Sequence, residues 1–230
     1  MSTKAVHANG AEKASFSQKV NDFLTKNRVV LVTGLAVILC VFIVMITFIT
    51  ITGKNNEKAF ISVDTVIENW ETLKSDKDQS NLSVKEDDMI ATLKSVANAN
   101  KNTYAGERAL NTIAEIYFSR KDWKNAQEQY LAAAKASSKS YTNGINYFNA
   151  AVCADEQGNQ EEALNLYTKV TVIDNFPMKS RAMFNIGRIQ EQLSRKTDAI
   201  ATYEKMSEQY PDDQWTLLAK SRTLALQLQK

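Results

Sequence analysis

The chain has 230 residues, two prolines, seven glycines and a formal net charge of +2, enough for one soluble domain of ordinary size beside a shorter segment. So few turn formers among abundant Ala, Lys, Glu, Gln and Asn exclude a turn-rich β fold and predict an all-α protein. The charge is uneven: residues 1–28 carry Lys4, Lys13, Lys19, Lys26 and Arg28 against Glu12 and Asp22, a surplus of +3, whereas residues 53–230 stand near −1. The larger part lacks the clustered Lys/Arg that nucleic acid demands, so nucleic acid is not an expected partner.

Residues 1–15, which include His7, hold little to bury and are expected to be disordered. Phe16, Val20, Phe23 and Leu24 then follow at helical spacing and predict a short amphipathic approach. Residues 29–52 are 24 consecutive uncharged residues, roughly 36 Å as a helix, sufficient to cross a bilayer with some tilt. A cleaved signal peptide would have a shorter apolar part and an A-x-A-like site, which Ile51-Thr52-Gly53 is not. A lipoprotein processed at Cys40 would turn polar after the cysteine, and this chain does not. Four basic residues precede the span closely and only Lys54 and Lys58 follow it. The positive-inside rule then puts the N-terminus in the cytoplasm and residues 53–230 outside it, which in a two-membrane bacterium is the periplasm. Cys40 would lie in lipid and Cys153 in a protein core, so no disulfide joins them.

Beyond the span, Gly53 to Asn56 reads as a polar break. Phe60, Val63, Ile67 and Trp70 at steps of three and four predict an amphipathic helix over 57–74, followed by a charged loop over 75–80. Ser83 and Glu86 fit a capping box, opening a helix to about Ala97 that buries Met89, Leu93 and Val96.

From Tyr104 the pattern Ala-x-x-x-Tyr recurs at Ala126/Tyr130, Ala163/Tyr167 and Ala199/Tyr203, spaced by 37 and 36 residues. Each pair is preceded by a helical stretch: Leu110, Ile113, Ala114 and Tyr117; then Tyr147, Ala150, Ala151 and Ala154; then Met183, Ile186, Gly187 and Gln190. Gly158 marks one turn, Pro211 closes the third unit, and Trp215, Leu218 and Ala219 restart the pattern as a terminal helix. Small residues such as Ala151 and Gly187 let paired helices approach, while the tyrosines fill the gaps between hairpins. The pattern resembles the tetratricopeptide repeat, with W-x2-L-G-x2-Y on helix A and A-x3-F on helix B. The spacings exceed the usual 34 residues, which implies long loops over 137–143 and 173–180.

Residue chemistry favours binding over catalysis. His7 is the only histidine, which removes histidine triads and most zinc sites, and no Gly-rich phosphate loop occurs. The acid pairs Asp87/Asp88 and Glu161/Glu162 are adjacent on helices and point apart. No catalytic residue, metal, cofactor or small-molecule substrate is expected. The repeat resemblance instead implies a groove lined by helix A. Its register gives Arg108, Asn111, Glu115 and Phe118 from the first repeat. The second gives Ile145, Phe148, Val152 and Asp155, and the third Arg181, Phe184, Arg188 and Glu191. Exposed apolar side chains rimmed by Arg suit a peptide; the alternative is that Phe148 and Phe184 are covered by the terminal helix or by 57–74. The carboxylate clamp of chaperone-docking members is disfavoured. Asn149 and Arg181 fit it, but Asn111, Glu115 and Asn185 stand where Lys, Asn and Lys/Arg would be needed, and Glu115 would repel a carboxylate.

The order of basic segment (1–28), span (29–52), helix pair (53–103) and repeats with a terminal cap (104–230), entered through Asn102-Thr103-Tyr104-Ala105, resembles the ancillary subunit family of the bacterial Sec translocon. That resemblance implies a single-span inner-membrane scaffold that helps pass emerging proteins to periplasmic chaperones, with translocon subunits and chaperones as partners. A scaffold for envelope assembly or cell division, binding envelope factors, is the alternative.

Overall fold

The computed structural model describes residues 16–76, 80–136 and 140–228; residues 1–15 with His7, and parts of the loops 75–80 and 137–143, lie outside them. Every regular element among the described residues is a helix, in agreement with the all-α reading. The chain divides into two compact units, at Lys54 and Asn55.

The first unit contains α1 (Phe16–Lys26) and the opening part of α2 (Arg28–Ser75). The most apolar 18 residues of α2 have a mean hydropathy of 3.2, and side chains such as Val44 and Phe48 are exposed. The helix is long and apolar enough to cross a membrane. Hydroxyls in its apolar stretch bond within the helix: Thr33 donates to the Val29 carbonyl and Thr50 to that of Ile46, both at 2.8 Å, an arrangement compatible with hydrocarbon surroundings.

The second unit begins within α2, which passes through residues 53–56 without interruption. The expected polar break is absent. Gly53 costs a helix only about 1 kcal/mol relative to Ala, and Lys54, Asn55, Asn56 and Glu57 carry tolerable propensities. Ala59, Val63, Val66 and Trp70 of α2 are buried with Ile90 and Leu93 of α3 (Leu82–Ala99) and with Ile113 and Ile116 of α4 (Tyr104–Ser119). Fully burying each such aliphatic side chain contributes about 1.5–3 kcal/mol.

The capping box also fails to form. Asn81 takes the cap position of α3 and no side-chain hydrogen bond caps the helix. Glu86 turns inward, buried, and accepts from Trp70 Nε1 at 2.7 Å and Arg120 Nε at 2.5 Å. Arg120 also reaches Asp87 and the Ser83 carbonyl, at 2.6 and 2.8 Å. One buried carboxylate thereby ties α2, α3 and the end of α4 together.

Three hairpins follow: α4 with α5 (Trp123–Ala136), α6 (Asn143–Glu156) with α7 (Gln160–Thr171), and α8 (Lys179–Gln192) with α9 (Lys196–Gln209). α10 (Gln214–Leu228) closes the stack. Each helix packs on the next, and α10 packs on both α8 and α9. The hairpin turns repeat in backbone geometry. Lys121, Gly158 and Ser194 all have φ between 59° and 76°. At the following residue, the N–H groups of Asp122, Asn159 and Arg195 bond the carbonyls of Tyr117, Ala154 and Gln190 at 2.8–2.9 Å. Only at Gly158 does the sequence supply the residue with no steric penalty for that conformation.

The Ala-x-x-x-Tyr pairs are core. Ala126, Ala163 and Ala199 are fully buried, as are their tyrosines or nearly so. Gly187 is required for the close approach of α8: a Cβ there would stand 2.3 Å from the Tyr203 ring. Side-chain bonds across about one repeat stitch neighbouring hairpins, as in Gln127 to Glu162 at 2.8 Å and the ion pair of Glu161 with Arg195.

Candidate functional site

The A helices α4, α6 and α8 carry the expected groove positions, and the structure sorts these into three groups. Arg108, Asn111, Glu115 and Ile145 converge on one cleft between α4 and α6, with a volume of about 200 Å³. Three others face inward. Phe148 is only 2% exposed, packed edge-on against Tyr167 and against Phe176 at centroid distances of 5.3 and 5.7 Å. Phe118 is half-buried inside its own hairpin against Trp123 and Tyr130, and Val152 packs on the same core as Phe148. Phe148 is thus a core residue and cannot serve a partner: Phe176, from the loop between α7 and α8, drops onto its ring.

The remaining positions are engaged with one another or with the terminal helix. Asp155 pairs with Arg188. Arg181 is exposed, its guanidinium 5.2 Å from the Phe148 ring and 5.4 Å from that of Trp215, near enough for cation–π attraction. Phe184 is half-buried between Tyr203 and Trp215. Glu191 accepts from Tyr203 Oη at 2.6 Å and pairs with Arg222 of α10. Burial acts to raise Glu191, but the hydrogen bonds from Arg222 and Tyr203 and the nearby charges of Arg222 and Arg188 hold it below the usual glutamate range. The covering by the terminal helix that the sequence left open is realised at Phe184.

The α4–α6 cleft contains a residue the sequence reading missed. Glu107 stands in the first turn of α4, whose start is capped by the Thr103 hydroxyl accepting from Gly106 N–H at 3.2 Å. The Glu107 side chain is 1% exposed. Its Oε1 accepts from Thr142 and, at 3.0 Å, from Asn146 Nδ2. Its Oε2, sealed from solvent, has no hydrogen-bond partner among the described residues. Asn111 in turn donates to Asn146 Oδ1 at 2.5 Å, and Arg108 pairs with Asp64 of α2 at 2.5 Å. Glu115 is raised above its ordinary value, first by desolvation, with Glu71 adding and Lys74 and Arg108 opposing. An acid in a helix's first turn looks like ordinary dipole stabilisation, so only the position of Thr142, 35 residues away, could have pointed inward.

Cys153 is fully buried and burial, with Glu156 adding, pushes its thiol up to about 12, far from a nucleophilic thiolate. Among the described residues no group of three or more His, Cys, Asp or Glu side chains is placed to hold a metal ion.

Stacked antiparallel hairpins, closed at one end and lined by A helices, define a helical-repeat interaction scaffold. Within this stack, residues 107–175 and 156–214 match family profiles of the tetratricopeptide repeat. A TPR repeat-containing protein of Treponema pallidum (strain Nichols) is 41% identical over 148 residues, which is 64% of this chain and 62% of that protein. The chain therefore spans less than two thirds of that relative's length. Among solved structures, a Podosopora anserina putative kinesin light chain with nearly identical TPR-like repeats is similar at a TM-score of 0.51 and 10% identity, over 74% of this chain and 86% of that one. The apo form of RapI is similar at 0.54 and 12% identity, over 72% of this chain and 47% of that one. At such identities the likeness concerns the fold.

Proposed function

We propose that this tetratricopeptide-repeat protein is a membrane-anchored scaffold that holds polypeptide on its A-helix faces. In this reading residues 1–28 are cytoplasmic, 29–52 are the anchor, 53–103 lead into the stack, and 104–230 present the repeats and cap outside the cytoplasm. The observation that carries it is the convergence of Arg108, Asn111, Glu115 and Ile145 on one open cleft of the repeat wall. Tetratricopeptide repeats are an interaction fold rather than a catalytic one, and their partners are proteins or peptides. The order of basic segment, span, helix pair and repeats supports placing this scaffold beside the Sec translocon of a bacterial inner membrane, assisting export or hand-over to chaperones.

The test is site-specific photocrosslinking in native membranes, with a photoreactive residue at Ile145 or Arg181 of the full chain, and at Glu128 as a control on the exposed side of α5. Polypeptide adducts from the two inner positions and none from Glu128 are expected. Adducts from Glu128 alone, or from no position, overturn the groove. Translocon subunits as the dominant adduct support the export reading; envelope-assembly factors in their place overturn it and leave the scaffold.

A further inference from the structure

We infer that the outer face of α10 is the surface through which two copies of this chain associate, the two helices lying antiparallel about a two-fold axis. The inference stands apart from the groove reading, since it uses the side of α10 turned away from the repeat wall.

α10 is apolar on two opposite sides. Its inner side seals the stack: Thr216, Ala219 and Leu226 are buried, and the helix packs on α8 and α9. A helix that caps a repeat stack ordinarily turns a polar face to water. Here Leu217, Leu218, Leu224 and Leu228 stand 51–74% exposed. Leu217, Ser221, Leu224 and Leu228 follow one another at steps of 4, 3 and 4 residues, which lines them along one stripe of the helix, opposite Ala219. Among the described residues nothing covers that stripe.

Area, register and charge each point to a second copy as the occupant. The four leucines leave an apolar patch on the order of 400 Å², large enough on a monomer to mark an interaction site. Each side of a standard interface supplies about 800 Å², a little over half of it apolar. The patch is therefore the right size for one half of a dimer contact. The stepping of 4, 3 and 4 reads the same in both directions, so an antiparallel copy sets Leu217 against the partner's Leu228 and Leu224 against the partner's Ser221. Large then falls on small at the centre, which lets the helices approach closely. α10 carries Lys220 and Arg222 and no acid, and Arg222 is already paired with Glu191. Lys220 shares one groove with the exposed Glu204 and Glu208 of α9. A two-fold axis in the interface, perpendicular to the helices, sets this flank against its own copy. Each Lys220 then comes beside the partner's two acids, and the rim attracts.

The experiment follows the full chain in detergent micelles by sedimentation velocity across a concentration series. A monomer–dimer equilibrium with a Kd in the micromolar range is expected, the weak end for contacts of this size. Leu224→Glu should raise that Kd at least about a hundredfold, since each copy would place an unpaired carboxylate in the seam. Its helicity and melting should match wild type, because Leu224 is exposed. Should that variant fail to fold, Leu217→Glu is measured in the same way. Lys220→Glu should weaken association severalfold, and adding Glu204→Lys and Glu208→Lys to it should restore the affinity. In native membranes, a photoreactive residue at Leu217 should give an adduct of twice the chain's mass. A monomer at about 100 μM, far above the expected Kd, overturns the proposal. So does a dimer that persists in folded Leu224→Glu, a charge exchange without rescue, or a different polypeptide as the adduct at Leu217. Crosslinks from Ile145 report on the groove alone, so either reading can fail while the other stands.

Discussion

The two ends of the repeat wall carry equivalent A-helix positions and use them in opposite ways. At the α8 end, α10 lays Trp215 beside Phe184 and Arg222 on Glu191, so an aromatic and an acid of the wall are already matched within the chain. At the α4 end α2 answers Arg108 with Asp64, yet the buried acid Glu107 keeps one oxygen without a partner among the described residues. What a repeat position can bind is thus decided by the element stacked beyond it, and a motif read from one repeat does not transfer to the next.

Four substitutions sharpen that contrast. The largest effect is expected at Phe148, the core ring between the two ends. Phe148→Ala should cost about 3–5 kcal/mol in denaturant unfolding. The same change at the half-buried Phe184 should cost clearly less, and equal losses would contradict the separation of core from capped wall. Next, Ser194 holds a left-handed conformation at φ 59°. Ser194→Gly should stabilise by about 1 kcal/mol, an effect read from the denaturation midpoint, whereas Gly158→Ala should destabilise by a similar amount.

The smallest effect distinguishes the ends by the pH dependence of stability. Glu191 is depressed below the ordinary glutamate value of 4.5, so its contribution is present above that value and is lost as pH falls through its folded pKa. Glu115 is raised, so its contribution is present below 4.5 and is lost as pH rises through its own folded pKa. Replacing Glu191 by Gln should flatten the loss of stability on acidification, and replacing Glu115 by Gln should steepen it. Melting temperatures across the acid range check both signs.

The repeat core was legible in the sequence because its constraints are local and periodic. Ala126, Ala163 and Ala199 must be small where helices touch, their tyrosines recur with them, and Gly187 announces a close approach. The wall was less legible. Phe176 sits in a loop with no period, so nothing in the spacing tells that it will cover Phe148. Glu86 has the spacing of a capping residue, yet Trp70 and Arg120 offer it stronger partners, and those lie 16 and 34 residues away. Glu107 looks like any acid at a helix start until Thr142 and Asn146 are placed beside it. Phe118 and Val152 were assigned to the groove by repeat register alone, which fixes a position on a helix but not the neighbour that fills the space in front of it.

Cys153 lies at the junction of the first two hairpins, among Ala114, Ala126, Tyr130 and Ala150. Because its thiol is sealed there and held in the unreactive protonated form, its alkylation in the folded second unit must wait for those hairpins to part. The chain thus carries its own clock for the opening of that seam, and the rate at which a thiol reagent enters, compared with and without a bound polypeptide, times how firmly a guest clasps the hairpins shut.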